Sequence, residues 1–190
     1  MADTIRVAAL GMAHDHLWTN LKQLSKCDDT ELVAGADFDP RLQEKFVADT
    51  GCDTTFDDYE ALLDETKPDA VFAFCATADH ADVVEMCAPR GIHVMVEKPM
   101  AATLEQADRM LVASKKHGTR LMVNWPTAWS RSIRTAKRLV DEGAIGDLWQ
   151  LTWRGGHSGP DELGCSEHFC GFLFDPDLNG AGAFNDYGGY

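Results

Sequence analysis

The sequence lacks long apolar runs and is poor in positive charge. Its 190 residues include 17 Lys and Arg against 31 Asp and Glu, which gives a formal net charge of -14. A surface of this sign repels phosphate backbones and anionic lipids, so nucleic acid and membranes are not predicted as partners. Near the N-terminus only residues 5–10 form an apolar run, which is too short for a signal peptide or a membrane span.

No two cysteines have the C-x-x-C spacing of a structural zinc or redox site. The six cysteines are Cys27, Cys52, Cys75, Cys87, Cys165 and Cys170. Their scattered positions predict reduced thiols in a cytoplasmic protein and not a disulfide framework. The sequence also has no internal repeat or low-complexity tract. Its length and its 45% hydrophobic content are those of a globular protein with one full domain and part of another.

Predicted strands and helices alternate over residues 5–123. Apolar, largely β-branched runs predict strands at 5–10, 32–36, 70–74, 92–96 and 121–123. The segments between them have helical spacing, as in Leu17, Leu21 and Leu24. This alternation predicts an α/β fold with a doubly wound, mostly parallel sheet.

Capping patterns predict where two of these helices begin. Asp57 and Glu60 form a capping-box pattern for a helix over 57–65. A second capping box, at residues 103–106, begins a helix ended by Gly118. The residues predicted to face inward from this second helix are Leu104, Ala107, Leu111 and Val112.

The first turn of the chain resembles a phosphate-binding turn in reduced form. Residues 11–16 read Gly-Met-Ala-His-Asp-His, where a dinucleotide-binding fold has G-x-G-x-x-G. Gly11 supplies the tight turn, Ala13 is small enough for a pyrophosphate to approach, and His16 replaces the glycine of helix packing. The second predicted strand ends in Asp37, which is placed to bind ribose hydroxyls and to repel a 2′-phosphate. NAD is therefore favoured over NADP, although a turn or cap beside Asp39 is an alternative role for this carboxylate.

Polar residues also follow the later strands. The predicted strand at 70–74 leads into residues 75–80, which include Thr77 and His80, and the strand at 92–96 leads into Glu97 and Lys98. Ligands in open α/β sheets bind outside the carboxyl ends of the strands, so these side chains are predicted to share one crevice. The alternatives are a surface ion pair for Glu97 and Lys98, and a packing role for His80.

A different organisation is predicted after residue 124. Residues 130–142 form a cationic helix, and Leu148–Trp153 alternates as the first strand of a new sheet would. Residues 155–190 have little periodicity, so they are interpreted as a binding segment or as part of an incomplete domain. The predicted domains are 1–124 and 125–190.

The sequence resembles the family of glucose-fructose oxidoreductase, inositol dehydrogenase and rhizopine catabolism proteins (Gfo/Idh/MocA). The resemblance is carried by Glu97-Lys98-Pro99, by Gly91-x-His93-Val94 and by the glycine and aspartate residues of 182–190. It implies a Rossmann domain followed by an α+β domain whose open, mostly antiparallel sheet often makes homo-oligomer contacts. It also implies hydride transfer between a nicotinamide cofactor, NAD with NADP not excluded, and a sugar, polyol or related carbohydrate. The family continues beyond Tyr190, so a truncated second domain is expected.

The resemblance also assigns roles to individual residues. Lys98 matches the lysine that touches both nicotinamide and substrate, Asp186 matches an aspartate that orients substrate hydroxyls, and Tyr190 matches a proton acceptor. Lys98 is expected to lower the pKa of Tyr190. The cofactor-binding residues are expected to be Gly11, Ala13, His14, Asp37, Cys75, Ala76, Thr77, His80, Glu97 and Lys98. Cys75-Ala76 stands where the family has Thr-Pro.

Two groups of residues suggest a metal. One is His14-Asp15-His16, and the other comprises His157, Cys165, Glu167, His168 and Cys170. Neither has the spacing of a structural zinc site, so no metal is predicted, and His157 and His168 are expected to line a sugar pocket.

Two other functions compete with the oxidoreductase. The first is an NAD-dependent glycosidase of the same family. The second is a non-catalytic nucleotide-binding or regulatory protein, which the reduced glycine turn and the early end of the sequence suggest.

Overall fold

The structure is a computed structural model that describes residues 4–190. Residues 1–3 of the predicted N-terminal domain lie outside the described residues. The strands are β1 (Ile5–Leu10), β2 (Thr30–Ala36), β3 (Thr55–Phe56), β4 (Ala70–Ala73), β5 (His93–Glu97) and β6 (Leu121–Asn124). All five predicted strands of the first domain are therefore confirmed, and the short strand β3 was not predicted.

The helices connect these strands and then continue alone. They are α1 (His16–Leu24), α2 (Pro40–Thr50), α3 (Tyr59–Thr66), α4 (His80–Cys87), α5 (Leu104–His117), α6 (Arg131–Asp141), α7 (Glu167–Leu173), α8 (Pro176–Asn179) and α9 (Ala183–Gly188). Short 3₁₀ helices occur at Thr77–Asp79, Ala88–Arg90 and Pro126–Trp129. None of the helices within residues 4–190 has both the length and the apolar character that a bilayer crossing needs.

The six strands form one sheet in the order β3-β2-β1-β4-β5-β6, and every neighbouring pair is parallel. The predicted doubly wound parallel sheet is confirmed. Successive residues of β1 enter separate core clusters, with Ala8 and Leu10 on one face and Ala9 on the other. This double burial explains the continuous apolar runs. The strand order reverses between β1 and β4, so a crevice opens at their carboxyl ends.

The two predicted caps had different outcomes. Thr103 and Gln106 form the expected capping box, in which the amide of Gln106 donates to the Thr103 hydroxyl at 3.2 Å. The prediction of Asp57 as the cap of α3 is wrong. Asp58 caps this helix by accepting a hydrogen bond from the amide of Ala61 at 2.8 Å, because its extended backbone brings the carboxylate over the first turn.

The predicted inward face of α5 is wrong at three of its four positions. Ala107 packs against the core as predicted. Leu104 is 79% exposed, Leu111 is 42% exposed and Val112 is 65% exposed, whereas Met110 and Ser114 are buried. Helical spacing fits either face of this sequence, so tertiary packing decides which one is buried. The buried face of α5 includes small side chains, which let α5 approach α4 closely. Arg109 then pairs with Glu85 of α4 at 2.6 Å.

The predicted strand Leu148–Trp153 is not formed. Within residues 4–190 every strand belongs to the single parallel sheet, and residues 148–153 have no strand partner. Trp149 is 88% exposed and Leu151 is 80% exposed. A strand needs neighbours to pair its backbone groups, and the described residues supply none to this segment. The expected second, antiparallel sheet is therefore absent from the described part of the chain.

Residues 155–190 contain three short helices and return to the carboxyl edge of the sheet. Phe169 and Phe172 of α7 are buried with Ala76, which follows β4. The hydroxyl of Thr77 donates to Oδ1 of Asn179 at 2.9 Å. This segment therefore covers the edge where the predicted site residues lie.

Candidate active site

The turns after β1 and β4 touch each other, and Gly11 makes this contact possible. Gly11 has φ of +74°, and a Cβ at this position would lie 2.5 Å from Cβ of Cys75 and 2.6 Å from its amide nitrogen. Such distances are far inside van der Waals contact. Both the left-handed backbone and the close approach therefore require glycine, which agrees with the tight turn predicted from the sequence.

Asp37 lies at the end of β2, as predicted, and it binds the backbone of the first turn. Its Oδ2 accepts a hydrogen bond from the amide of Met12 at 2.6 Å, and its Oδ1 accepts one from the amide of Asp39 at 2.8 Å. Burial raises the pKa of Asp37, and these hydrogen bonds oppose the rise. A cavity of about 370 Å³ lies beside this carboxylate and is also lined by Gly11, Tyr59 and Cys75.

The residues after β4 are mostly inside the protein. Cys75 is buried, and burial raises the pKa of its thiol, so the sulfur stays protonated. Ala76 packs against Phe169 and Phe172 of α7. Cys75 and Ala76 still reach the cavity beside Asp37, while Thr77 binds the C-terminal segment.

His80 contacts the backbone of the turn that follows β5. Its Nδ1 lies 3.1 Å from the carbonyl oxygen of Met100, and the side chain is buried. Burial lowers the pKa of His80 to about 4. This geometry favours the packing role over cofactor contact.

We expect His80 to make folding stability depend on pH. The unfolded imidazole binds a proton below its ordinary pKa of about 6.5, whereas the folded ring stays neutral until about pH 4. Its stabilising contribution is complete above pH 6.5 and falls by about 3 kcal/mol as the pH drops towards 4. Urea unfolding between pH 7 and 4 measures this loss. His80→Gln should make the profile shallower, with the remaining slope contributed by buried His14, and the exposed control His117→Gln should leave the profile unchanged. Equal slopes in both variants would contradict the role given to His80.

Glu97 is fully buried and has several partners. Its Oε1 accepts from Nδ2 of Asn124 at 2.6 Å and lies 3.0 Å from Nδ1 of His16, and its Oε2 accepts from the amide of Lys98 at 2.8 Å. The alternative of a surface ion pair between Glu97 and Lys98 is wrong, because both residues are buried. Sequence analysis missed Asn124, although its position at the end of β6 is a signal for a site residue.

Lys98 pairs with Asp186 across the crevice. Its Nζ donates to Oδ1 of Asp186 at 2.7 Å, and the two side chains are 6% and 14% exposed. The same ammonium lies 5.9 Å from the centre of the Tyr190 ring. The three candidate catalytic residues are therefore neighbours, although 88 residues separate Lys98 from Asp186.

The expected effect of Lys98 on Tyr190 is wrong. Burial raises the pKa of Tyr190, and a hydrogen bond with the Thr127 side chain only partly opposes the rise. Lys98 faces the ring of Tyr190, where a cation interacts with the π electrons. Desolvation of the phenolate therefore decides the direction of the shift.

His14 lies beneath α7 with its Nε2 unpartnered. This side chain is buried, and its Nε2 has no hydrogen-bond partner and lies 3.9 Å from Oε2 of Glu97. Its Nδ1 accepts from the amide of His16 at 3.2 Å, and its ring centre is 4.3 Å from that of Phe169. Burial lowers the pKa of His14 well below its ordinary value. One ligand atom from each of His14, His16 and Glu97 lies within 4.8 Å of the others.

The second group of metal-type residues does not gather in the described part of the chain. His168 lies 2.9 Å from Asp39 and lines the cavity beside Asp37. His157 packs against Tyr187 and lines a different cavity of about 570 Å³, which Asp186 also lines. Of the two histidines expected in a sugar pocket, only His157 shares a cavity with a candidate catalytic residue.

The cavity at Gly11 and Asp37 and the pair of Lys98 and Asp186 lie at opposite ends of the crevice, which is covered in the middle. Between them α7 covers the first turn, where the amide of Ser166 donates to Asp15 at 2.7 Å.

The comparisons with known proteins agree with this architecture. The profile of the Gfo/Idh/MocA family, described as "Oxidoreductase family, NAD-binding Rossmann fold", matches residues 5–125. The chain belongs to this family. Membership confirms the resemblance found in the sequence and the NAD-binding Rossmann character of its first part.

Relatives in the Gfo/Idh/MocA family include sugar and polyol enzymes. A dTDP-3,4-didehydro-2,6-dideoxy-alpha-D-glucose 3-reductase from Streptomyces antibioticus is 30% identical over 78% of this chain and 45% of the relative. A myo-inositol 2-dehydrogenase from Thermotoga maritima is 31% identical over 67% of this chain and 37% of the relative. The chain thus spans less than half the length of these curated relatives.

Solved structures of the family share the fold. Myo-inositol 2-dehydrogenase from Lactobacillus plantarum has 26% identity and a TM-score of 0.69 over 77% of this chain and 43% of its own. The WlbA dehydrogenase from Bordetella pertussis, solved with NADH and UDP-GlcNAcA, has 26% identity and a TM-score of 0.69 over 75% of this chain and 43% of its own.

Proposed function

We propose that this protein is an NAD(P)-dependent oxidoreductase that transfers hydride between a nicotinamide cofactor and a sugar, polyol or related carbohydrate. The observation that carries the proposal is the buried pair of Lys98 and Asp186 beside Tyr190, at the carboxyl edge of a Rossmann sheet. The 570 Å³ cavity at Asp186 offers space for a small carbohydrate. The named activities of the relatives support the same class of reaction.

Each of the three side chains has a distinct part in this proposal. The bound nicotinamide supplies the hydride acceptor or donor. Lys98 donates a hydrogen bond to the reacting oxygen, and Asp186 holds Lys98 and accepts from neighbouring substrate hydroxyls. The raised pKa of Tyr190 keeps its hydroxyl protonated, so it is suited to donate a proton when a carbonyl is reduced. In the oxidation direction the alcohol proton passes to the Tyr190 phenolate, which must form first.

Initial-rate assays test this proposal directly. The purified chain is incubated with NAD or NADP and a panel of sugars and polyols, and NADH or NADPH formation is followed by absorbance. We expect turnover with at least one member of the panel. A parallel assay for cleavage of aryl glycosides identifies the NAD-dependent glycosidase, which would release the aglycone without net NADH.

A non-catalytic nucleotide-binding protein is the second candidate. The reduced glycine turn at residues 11–16 suggests it, and α7 covers that turn, where Phe169 and Phe172 pack against Ala76. NADH binding seen by fluorescence, without turnover on any substrate, would support this candidate over the enzyme.

We expect Asp37 to set the preference for NADH over NADPH. Its carboxylate repels a 2′-phosphate, so Asp37→Asn should narrow the ratio of the two dissociation constants by about 10-fold. Fluorescence titration with each cofactor measures the ratio. The exposed control Asp53→Asn should keep the wild-type ratio, and an unchanged ratio in Asp37→Asn would remove this residue from cofactor selection.

The wider organisation is also part of the proposal. We propose that residues 1–124 bind the cofactor and that residues 125–190 begin an α+β substrate domain with a mostly antiparallel sheet. Exposed Trp149, Leu151 and Trp153 support the presence of partner strands for this segment in the family architecture. We also propose that the protein forms a homo-oligomer through that sheet, which light scattering would measure. A cytoplasmic location is proposed as well, supported by the six free cysteines.

A further inference from the structure

We propose that His14, His16 and Glu97 form a binding site for a divalent transition-metal cation such as Zn²⁺. The site lies between the first turn and the end of β5, next to Lys98. It shares His14 and Glu97 with the expected cofactor contacts, but its test needs neither cofactor nor substrate.

The donor atoms suit such a cation. Two imidazole nitrogens and one carboxylate are a common set of three protein ligands for zinc, and they leave one coordination position open. Zinc bonds of about 2.0–2.2 Å place neighbouring donor atoms roughly 3.3 Å apart. The shortest contacts are 3.0 Å between His16 Nδ1 and Oε1 of Glu97 and 3.9 Å between His14 Nε2 and Oε2 of the same carboxylate. One donor atom from each residue lies within 4.8 Å of the others, so the three side chains must move closer together as the metal binds.

The unpartnered nitrogen of His14 is an independent observation. A buried polar atom usually has a hydrogen-bond partner, yet Nε2 of this 2% exposed residue has none and lies closest to the carboxylate of Glu97. Ligation through Nε2 moves the ring proton to Nδ1 and exchanges the 3.2 Å hydrogen bond from the His16 amide for a metal bond.

The surroundings hold the carboxylate in place. Asn124 and the amide of Lys98 donate to Glu97, and such contacts orient a ligand and increase metal affinity. The charge of Lys98 is balanced by Asp186 at 2.7 Å, so the ammonium does not stand alone beside the cation. The three ligands come from two distant parts of the chain, which explains why the sequence predicted no metal at residues 14–16.

Metal titration of the purified chain tests the site without NAD or substrate. Zn²⁺ binding is measured by calorimetry and by the rise in unfolding temperature, and Co²⁺ binding by visible absorption. We expect one equivalent to bind. His16→Ala and His16→Asn should weaken binding by more than about 100-fold, because each removes a direct ligand. The control His117→Ala, at an exposed position of α5, should bind as the wild type does.

The same experiment contains the results that would overturn the proposal. A strong near-ultraviolet band in the Co²⁺ complex would indicate thiolate ligation and assign binding to the cysteines. Absence of binding in the wild type, or wild-type affinity in either His16 variant, would also refute the site. These readouts involve no turnover, so their failure is distinguishable from failure of the oxidoreductase proposal.

Discussion

Replacement of Lys98 with alanine is expected to lower kcat by about 10²–10⁴-fold while the dissociation constant for NADH changes only a few fold. Lys98 is held at the candidate reaction centre by Asp186 and lies close to the Tyr190 ring. Its loss removes the hydrogen bond to the reacting oxygen, which strengthens in the transition state. Initial rates on the best carbohydrate of the panel and NADH fluorescence measure the two quantities.

Control variants distinguish a loss of kcat caused by the missing ammonium from one caused by lower folding stability. Lys98→Ala leaves the 14% exposed carboxylate of Asp186 without its partner, and the loss of one member of a buried pair costs about 3–5 kcal/mol. The double variant Lys98→Met with Asp186→Asn should restore the free energy of unfolding without restoring turnover. Lys137→Ala removes an exposed lysine paired with Asp141 and should leave both quantities unchanged. Wild-type kcat in Lys98→Ala would exclude this lysine from the reaction.

Gly11→Ala is expected to destabilise the protein by about 2–5 kcal/mol. The added methyl group would overlap the Cys75 backbone and side chain, at 2.5–2.7 Å, in a residue with φ of +74°. The turns after β1 and β4 would be forced apart at the point where the crevice opens. Urea unfolding measures the change, and NADH affinity should fall with it.

Gly51 is a matched control that isolates the energetic cost of placing a side chain on a left-handed backbone. It has the same φ of +74°, but no atom lies within 4 Å of the position that a Cβ would take. Gly51→Ala should therefore lose only about 1–2 kcal/mol, the usual cost of a left-handed residue with a side chain. Equal losses in the two variants would show that contact with Cys75 does not constrain the first turn.

The sequence by itself determined the sheet and the position of its ligand-binding edge. Runs such as residues 5–10 and 92–96 are apolar at consecutive positions because both faces of their strands are covered. Their local pattern contains this information, and the rule that ligands bind at the carboxyl ends of strands then placed Gly11, Asp37 and Lys98 at one edge. The motif at residues 97–99 indicates the family without any information on tertiary contacts.

Only the tertiary structure decided which side chains meet at that edge. Local spacing could not show that Lys98 pairs with Asp186, that His14 and His16 surround Glu97, or that α7 covers the first turn. It also could not choose the buried face of α5, since two faces satisfy the helical period. Local spacing also could not show whether Leu148–Trp153 has partner strands, because strand pairing depends on distant segments. Contacts between remote parts of a chain depend on how whole helices and strands pack together. The local sequence around a residue does not determine that packing.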